Sequence, residues 1–266
     1  MIRAGAGIIL FIAFIAVSAP LIVPHRPSEQ NLRERLQSPS LKHPMGTDEL
    51  GRDTLARLIY GARISMLVGI VAVGIAVGIG TGMGLLSGYM GGWTDLIIMR
   101  LVDVMLSIPV FFLLLMVIAY IGPSIFNVMI VIGLTSWPGL CRMVRAETLS
   151  VSKRDYILSA RSLGFSRMRI LFVHILPNVL VPVLVSATLG VGGAILTESA
   201  LSFLGLGVQP PVPSWGNMLT SGKDYLGLAW WLSLFPGLSI LITVLGWNLL
   251  GEGLRDWFDP RKKSKL

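Results

Sequence analysis

Charge is scarce in this chain. Only 14% of its 266 residues are charged, while 53% are hydrophobic. A soluble domain carries about 25% charge, and here long stretches carry none. The mean hydropathy of +0.75 points the same way. A membrane is therefore the solvent that the composition fits. Cysteine is almost absent too. Cys141 stands alone in an apolar run, which excludes an internal disulfide and says nothing of redox compartment. No GxxxxGK[ST] phosphate loop occurs; Gly222-Lys223 is followed by Asp224. The three histidines, His25, His43 and His174, lack metal-ligand spacing. No Ser-His-Asp or Cys-His spacing suggests a nucleophile. The chain is thus expected to hold no cofactor or metal and to have no catalytic residue. The formal net charge of +8 invites a nucleic-acid reading. The basic residues lie beside apolar runs, which argues for lipid and against nucleic acid as partner.

What is present is a series of apolar segments. Ala4 to Val23 is long enough to span a bilayer. Val17-Ser18-Ala19 resembles a signal-peptidase site, but the apolar run continues past it, so a retained first span is preferred. Residues 25–63 are polar and broken by prolines. There Thr47 is expected to cap a helix starting near Asp48 and lying on the membrane surface. Ile64 to Leu86 reads as the second span, with glycines at small-xxx-small spacing from Gly74 to Gly88 for close helix packing. Val104 to Cys141 is uncharged and too long for one span. Ile121-Gly122-Pro123-Ser124 divides it in two. Ile170 to Thr197 is the fifth span. A Gly- and Pro-rich loop, Glu198 to Asp224, leads to a sixth from Tyr225 to Gly251, opened by Trp230-Trp231. The natural division is 1–63, an N-terminal span with its polar segment; 64–251, a five-helix core; and 252–266, a basic tail.

Positive charge sets the expected orientation. The basic loop 142–169 and the tail Arg261 to Lys265 place both termini in the cytoplasm. The outside loop 25–63 then holds seven Lys or Arg, against the rule, and the flanks of the second half decide the assignment. Arg100, Asp103 and Glu198 lie near span ends, where charge is a functional candidate. Arg100 and Asp103, three apart, are placed to pair on one helix face.

The stretch Ser152 to Asn178 differs from the rest. Ser152 is expected to cap a short basic helix with Tyr156, Ile157, Ala160 and Leu163 on one face. Gly164 suits the left-handed stop, and Ser166 caps the next helix. The residues alone leave two readings open: a helix resting on anionic lipid, or a lever gripped by a partner.

The spacing here resembles the EAA loop of bacterial ABC-importer permeases: EAA, three residues, Gly, nine residues, I-x-L-P. Ala160, Gly164, Leu176 and Pro177 fit; Leu158, Ser159 and His174 depart from it. HPMGTDELGRDTLARLIYGAR (His43 to Arg63), GYMGGWTD with Leu106-Ser107-Ile108-Pro109, ESALSFLGLGVQPPVPSWGNML (Glu198 to Leu219) and NLLGEGLRDWFDPR (Asn248 to Arg261) resemble the dipeptide/oligopeptide/nickel branch, and its second permease type. The resemblance implies an all-α polytopic fold of the type I importer permease architecture, with six transmembrane helices and a cytoplasmic coupling helix. It implies a bacterial inner-membrane permease subunit forming half of a path, for peptide as first choice and nickel chelate as the alternative. Implied partners are a second homologous permease, two cytoplasmic ATPases that use ATP and Mg, and an extracytoplasmic binding protein. By the same resemblance Arg154, Asp155, Tyr156, Ile157, Ala160, Arg161, Leu163 and Gly164 meet an ATPase, and Gly164 and Pro177 act as hinge. Asp103, Glu198, Phe203 and Trp215 are candidates for path or gate. A channel that works without ATPases is the more distant alternative.

Overall fold

The computed structural model describes residues 1–23 and 26–258. The basic tail from Arg261, the break at Pro24 and His25 lie outside the described residues. In chain order the helices are α1 (Ile2–Val17), α2 (Ala19–Ile22), α3 (Thr54–Met90), α4 (Gly92–Ser107), α5 (Val110–Ile121) and α6 (Ile125–Val151). After them come α7 (Asp155–Ser162), α8 (Arg167–Arg169), a π-helical segment (Ile170–Ile175), α9 (Leu176–Phe203), α10 (Trp215–Lys223) and α11 (Trp231–Phe258). No strand is present among the described residues, only one isolated bridge, Thr47 to Asp53. Four continuous helical runs are long and apolar enough to cross a membrane: α3, α6, residues Arg167–Phe203 and α11. The pair α4 and α5 makes a fifth if taken as one bent span, and the 16-residue α1 is apolar but shorter. Large apolar side chains such as Phe14, Trp93, Phe112 and Leu241 face outward, as a lipid surround allows.

α3 corrects two expectations. No separate surface helix precedes the second span, and Thr47 caps nothing. Asp53 is the cap, accepting from the Ala56 N–H at 2.7 Å, and one helix of 37 residues runs from there. The sequence from Thr54 to Arg63 has no proline to separate it from the span, so the division at residue 63 falls inside this helix. The glycines were expected to pack, and only some do. A Cβ at Gly80 or Gly84 would lie 2.9 Å from the Trp137 carbonyl or 2.7 Å from that of Cys141. These glycines let α3 and α6 touch backbone to backbone. Gly74, Gly78 and Gly82 lie on another face, with nothing within 4 Å. α1 uses the same device on α11: a Cβ at Gly5 would sit 2.5 Å from Leu250 N.

The third span begins earlier than its apolar run. α4 and α5 meet at a bend of 86°. Ile108, held extended (φ −96°, ψ 128°), precedes Pro109, as the residue before a proline prefers. Gly122 at φ +90° makes the turn into α6. α11 starts later than expected, at Trp231. Trp231 is buried and its indole N–H donates to the Thr47 carbonyl at 3.2 Å, while Trp230 stays exposed.

Ion pairs fix α4 on α6. Arg145 grips Asp95 through Nε and Nη2, the latter at 2.6 Å, and Ser87 of α3 donates to the same carboxylate. Such two-pronged pairs fix geometry as well as adding energy. Asp103 does not pair with Arg100. Arg142 of α6 holds it instead, at 2.7 Å.

Candidate functional site

Three features can bear on function: an elbow around α7, a groove between three helices, and a cap at the opposite end.

The elbow is built from local chemistry. Ser152 does not open α7; it ends α6, and Arg154 occupies the N-cap position without a side-chain cap. Three residues, Ser152 to Arg154, separate the helices, and Val151 at the end of α6 is buried. α7 is anchored by Ile157 and Ala160, three apart and buried against Val144, Val151, Ile170 and Ile175. Tyr156 and Leu163, expected on that same face, are exposed, as are Arg154, Asp155 and Leu158. The buried stripe of α7 is thus narrower than the sequence suggests, only Ile157 and Ala160. Gly164 has φ +76°. The Phe165 N–H donates to the Ala160 carbonyl at 3.2 Å and the Gly164 N–H to the Arg161 carbonyl at 3.0 Å. This is a Schellman stop, which needs a left-handed residue at that point. Ser166 then accepts from the Arg169 N–H at 3.3 Å and starts the next helix.

That helix widens before it becomes a span. Pro177 has no N–H to return to the chain four residues earlier. The backbone answers with the π segment Ile170–Ile175, and the Asn178 amide donates to the His174 carbonyl at 2.8 Å. His174, a departure from the family spacing, stacks on Phe165 with centroids 5.9 Å apart, and Arg169 lies 4.3 Å from the Phe165 centroid. No sequence signal announced the π segment beyond Pro177 itself.

The groove was not foreseen. It holds about 390 Å³ between α3, α6 and α9. Its wall is small and neutral: Ala76, Ser136, Gly139, Ser186, Gly193 and Thr197 are among the lining residues, and no charged side chain is. Gly139 and Gly193 face open space. The sequence signal was the run of small residues in these spans, Ser136 and Gly139, then Ser186, Gly193 and Thr197.

None of Asp103, Glu198, Phe203 and Trp215 lines this groove. Asp103 pairs with Arg142 on an exposed surface. The other three belong to the cap. Glu198 is fully buried, accepting from Ser202 at 2.7 Å and from Ser214 at 2.9 Å. Ser214 caps α10 in a reciprocal box with Asn217, whose amide also donates to the Val208 and Val212 carbonyls. Trp215 is buried, its indole donating to the Leu58 carbonyl at 3.0 Å. Lys223 lies over Phe203, 5.4 Å from the ring centroid. Beside this cap, residues 26–53 form an ionic clasp. His43 Nδ1 is 2.7 Å from Asp53 and its Nε2 is 3.3 Å from Glu34; Arg52 reaches Asp48 at 2.6 Å. Lys42 also bonds Glu34 and is the main cause that holds this carboxyl below its ordinary value; desolvation opposes it and His43 adds to it.

A bundle of apolar helices, one end capped and the other carrying a short exposed helix between two spans, is the architecture of a polytopic membrane protein. Residues 80–264 match the family described as binding-protein-dependent transport system inner membrane component, and residues 1–39 match the N-terminal TM domain of oligopeptide transport permease C. The chain belongs to the binding-protein-dependent transport permeases and is a subunit of an ABC importer. It is 46% identical to the dipeptide transport system permease protein DppC of Escherichia coli over 267 residues, covering 98% of this chain and 89% of that one. It is 45% identical to DppC of Alkalihalophilus pseudofirmus, covering 97% and 86%. The di/tripeptide transport system permease protein DppC of Pseudomonas aeruginosa is 44% identical, with 98% and 88% covered. A chain of the MetNI methionine ABC transporter shares the fold at TM-score 0.62 and 18% identity, over 76% of this chain and 97% of that one.

Proposed function

We propose that this permease subunit carries peptides, in an importer where a second homologous permease supplies the other half of the path. Its relatives named for dipeptides and di/tripeptides support peptide as cargo over nickel chelate. Two cytoplasmic ATPases use ATP and Mg, a binding protein delivers cargo outside, and both termini lie in the cytoplasm. α7 is the coupling helix. The observation that carries this reading is its mounting: Ile157 and Ala160 hold it to the bundle while Arg154, Asp155, Tyr156 and Leu158 stay uncovered. A groove on an ATPase fits that uncovered face. Closure of the ATPases pushes α7, and the elbow at Gly164 and Pro177 passes the motion into α9. The neutral groove beside α9 is the half-path. It offers no fixed charge, so a peptide passes whatever its side chains carry. Energetically the partners bias two packings of one bundle.

The test is co-purification. Scrambling residues 154–164 leaves the chain in the membrane and abolishes its recovery with the ATPases. A scrambled chain that retains them, or a purified chain that drives uptake alone, would refute the coupling role.

A further inference from the structure

We infer that the inner side of the elbow is a binding site for the phosphate of an anionic phospholipid. The inference rests on the proposed orientation, which puts the elbow at the cytoplasmic leaflet. A cavity of about 320 Å³ lies between the end of α3 and the elbow, lined by Tyr89, Met90, Arg161, Phe165, Arg167 and Ile170. Two guanidinium-bearing side chains and a phenol line it, and no carboxylate does. Arg161 is turned back over the Tyr89 ring, 5.0 Å from its centroid, rather than outward with Tyr156 and Leu158. Among the described residues neither Arg161 nor Arg167 has an ion-pair partner. The two carboxylates of α4 are taken elsewhere, Asp95 by Arg145 and Asp103 by Arg142. The cavity is therefore a concentrated positive site without its own counter-charge.

Its rim identifies the source of the anion. Met90, Phe165 and Ile170 make its wall apolar beside the guanidiniums, and Met90 is exposed, as are Leu163, Met168 and Phe172 in the adjoining chain. Free phosphate or an acidic side chain gains nothing from such a rim. A phospholipid gains both parts: its phosphate meets the guanidiniums, which suit phosphate oxygens, and its chains lie along the apolar residues. Basic pockets between spans on the cytoplasmic side bind acidic headgroups for this reason. A lipid there touches α3 and α7 at once, so it braces the elbow against which the coupling helix moves.

The test uses the whole transporter, purified with its ATPases and analysed by native mass spectrometry with phosphatidylglycerol or phosphatidylcholine added. The wild-type complex retains phosphatidylglycerol in preference to phosphatidylcholine. The double variant Arg161→Gln, Arg167→Gln retains it about tenfold less or weaker still, while Arg161→Lys, Arg167→Lys keeps most of the preference. Both positions are exposed, so the fold survives these changes. Equal retention by wild type and the Gln variant overturns the site. Displacement of the lipid by inorganic phosphate at matched concentration overturns the lipid as its occupant. A Gln variant that keeps its lipid but loses the ATPases makes the cavity a protein contact and also overturns the inference. Failure of the coupling reading is seen separately, as ATPases retained by the scrambled α7.

Discussion

Replacing Gly164 isolates the elbow from the rest of the machine. Its φ of +76° is one that side chains with a Cβ resist, at a cost of about 1–2 kcal/mol for an L-residue. A β-branched residue lies at the upper end. Nothing stands within 4 Å of the position a Cβ would take, so the cost is one of backbone conformation, with no clash to confuse it. A change of one or two kcal/mol alters the population of a local conformation by about 5–30-fold. Gly164→Val therefore loosens the Schellman stop and frees α7 from the angle at which it meets α9. The full transporter, reconstituted in vesicles, gives two readouts from one sample, ATP hydrolysis and peptide uptake. Val is expected to leave hydrolysis running and to lower uptake per ATP by several-fold. Gly164→Asn, which tolerates the left-handed region, restores most of the ratio. A Val variant with the wild-type ratio of uptake to hydrolysis refutes the hinge.

At the capped end, Glu198→Ala leaves the Ser202 and Ser214 hydroxyls without their acceptor, and thermal unfolding in detergent should show a loss of about 1–3 kcal/mol. Along α3, Gly84→Val drives a side chain into the Cys141 carbonyl and Val144, each 2.7 Å from the new Cβ, whereas Gly78→Ala meets nothing; the first should destabilise the bundle by about 1–3 kcal/mol and the second leave its melting unchanged. In the clasp, Glu34 has its carboxyl held below the ordinary 4.5 by Lys42. The stability this adds is complete above that ordinary value and is lost as pH falls through the lower, folded one, so the protection of residues 31–48 against hydrogen exchange, taken relative to the intrinsic amide rate at each pH, should fall only in that acidic range.

The local devices were legible in the sequence. Gly164 and Ser166 stop and start helices where their chemistry suggests, and Gly122 turns the chain after Ile121. The apolar segments mark the spans because a bilayer demands a length. What stayed hidden depends on partners distant in sequence. Asp95 and Arg145 are 50 residues apart, and Asp103 and Arg142 are 39 apart; nothing nearby in the sequence says which arginine each acid will meet. The same holds for Glu198, whose partner Ser214 lies 16 residues away. Thr47 has the chemistry of a cap, but the helix starts later, and Asp53 accepts from the Ala56 N–H instead. The glycines of α3 announced close contact but not which face would have it, since both stripes share a spacing of four.

The length of α3 has a mechanical meaning. At 37 residues it is about 55 Å long, well beyond the ~30 Å hydrocarbon thickness. One tip is rooted at Asp53 in the ionic clasp and the other ends at Tyr89 beside Arg161. Near its second half, Gly80 and Gly84 press it against α6 with no side chain between them. The contact continues on both sides, at Gly88 against Thr148 and at Gly133 of α6 against Ala72 and Ile75. α3 is therefore seamed to α6 along much of its length, and the two move as one piece. A shift at the Tyr89 end arrives at the clasp as a shift of the whole pair.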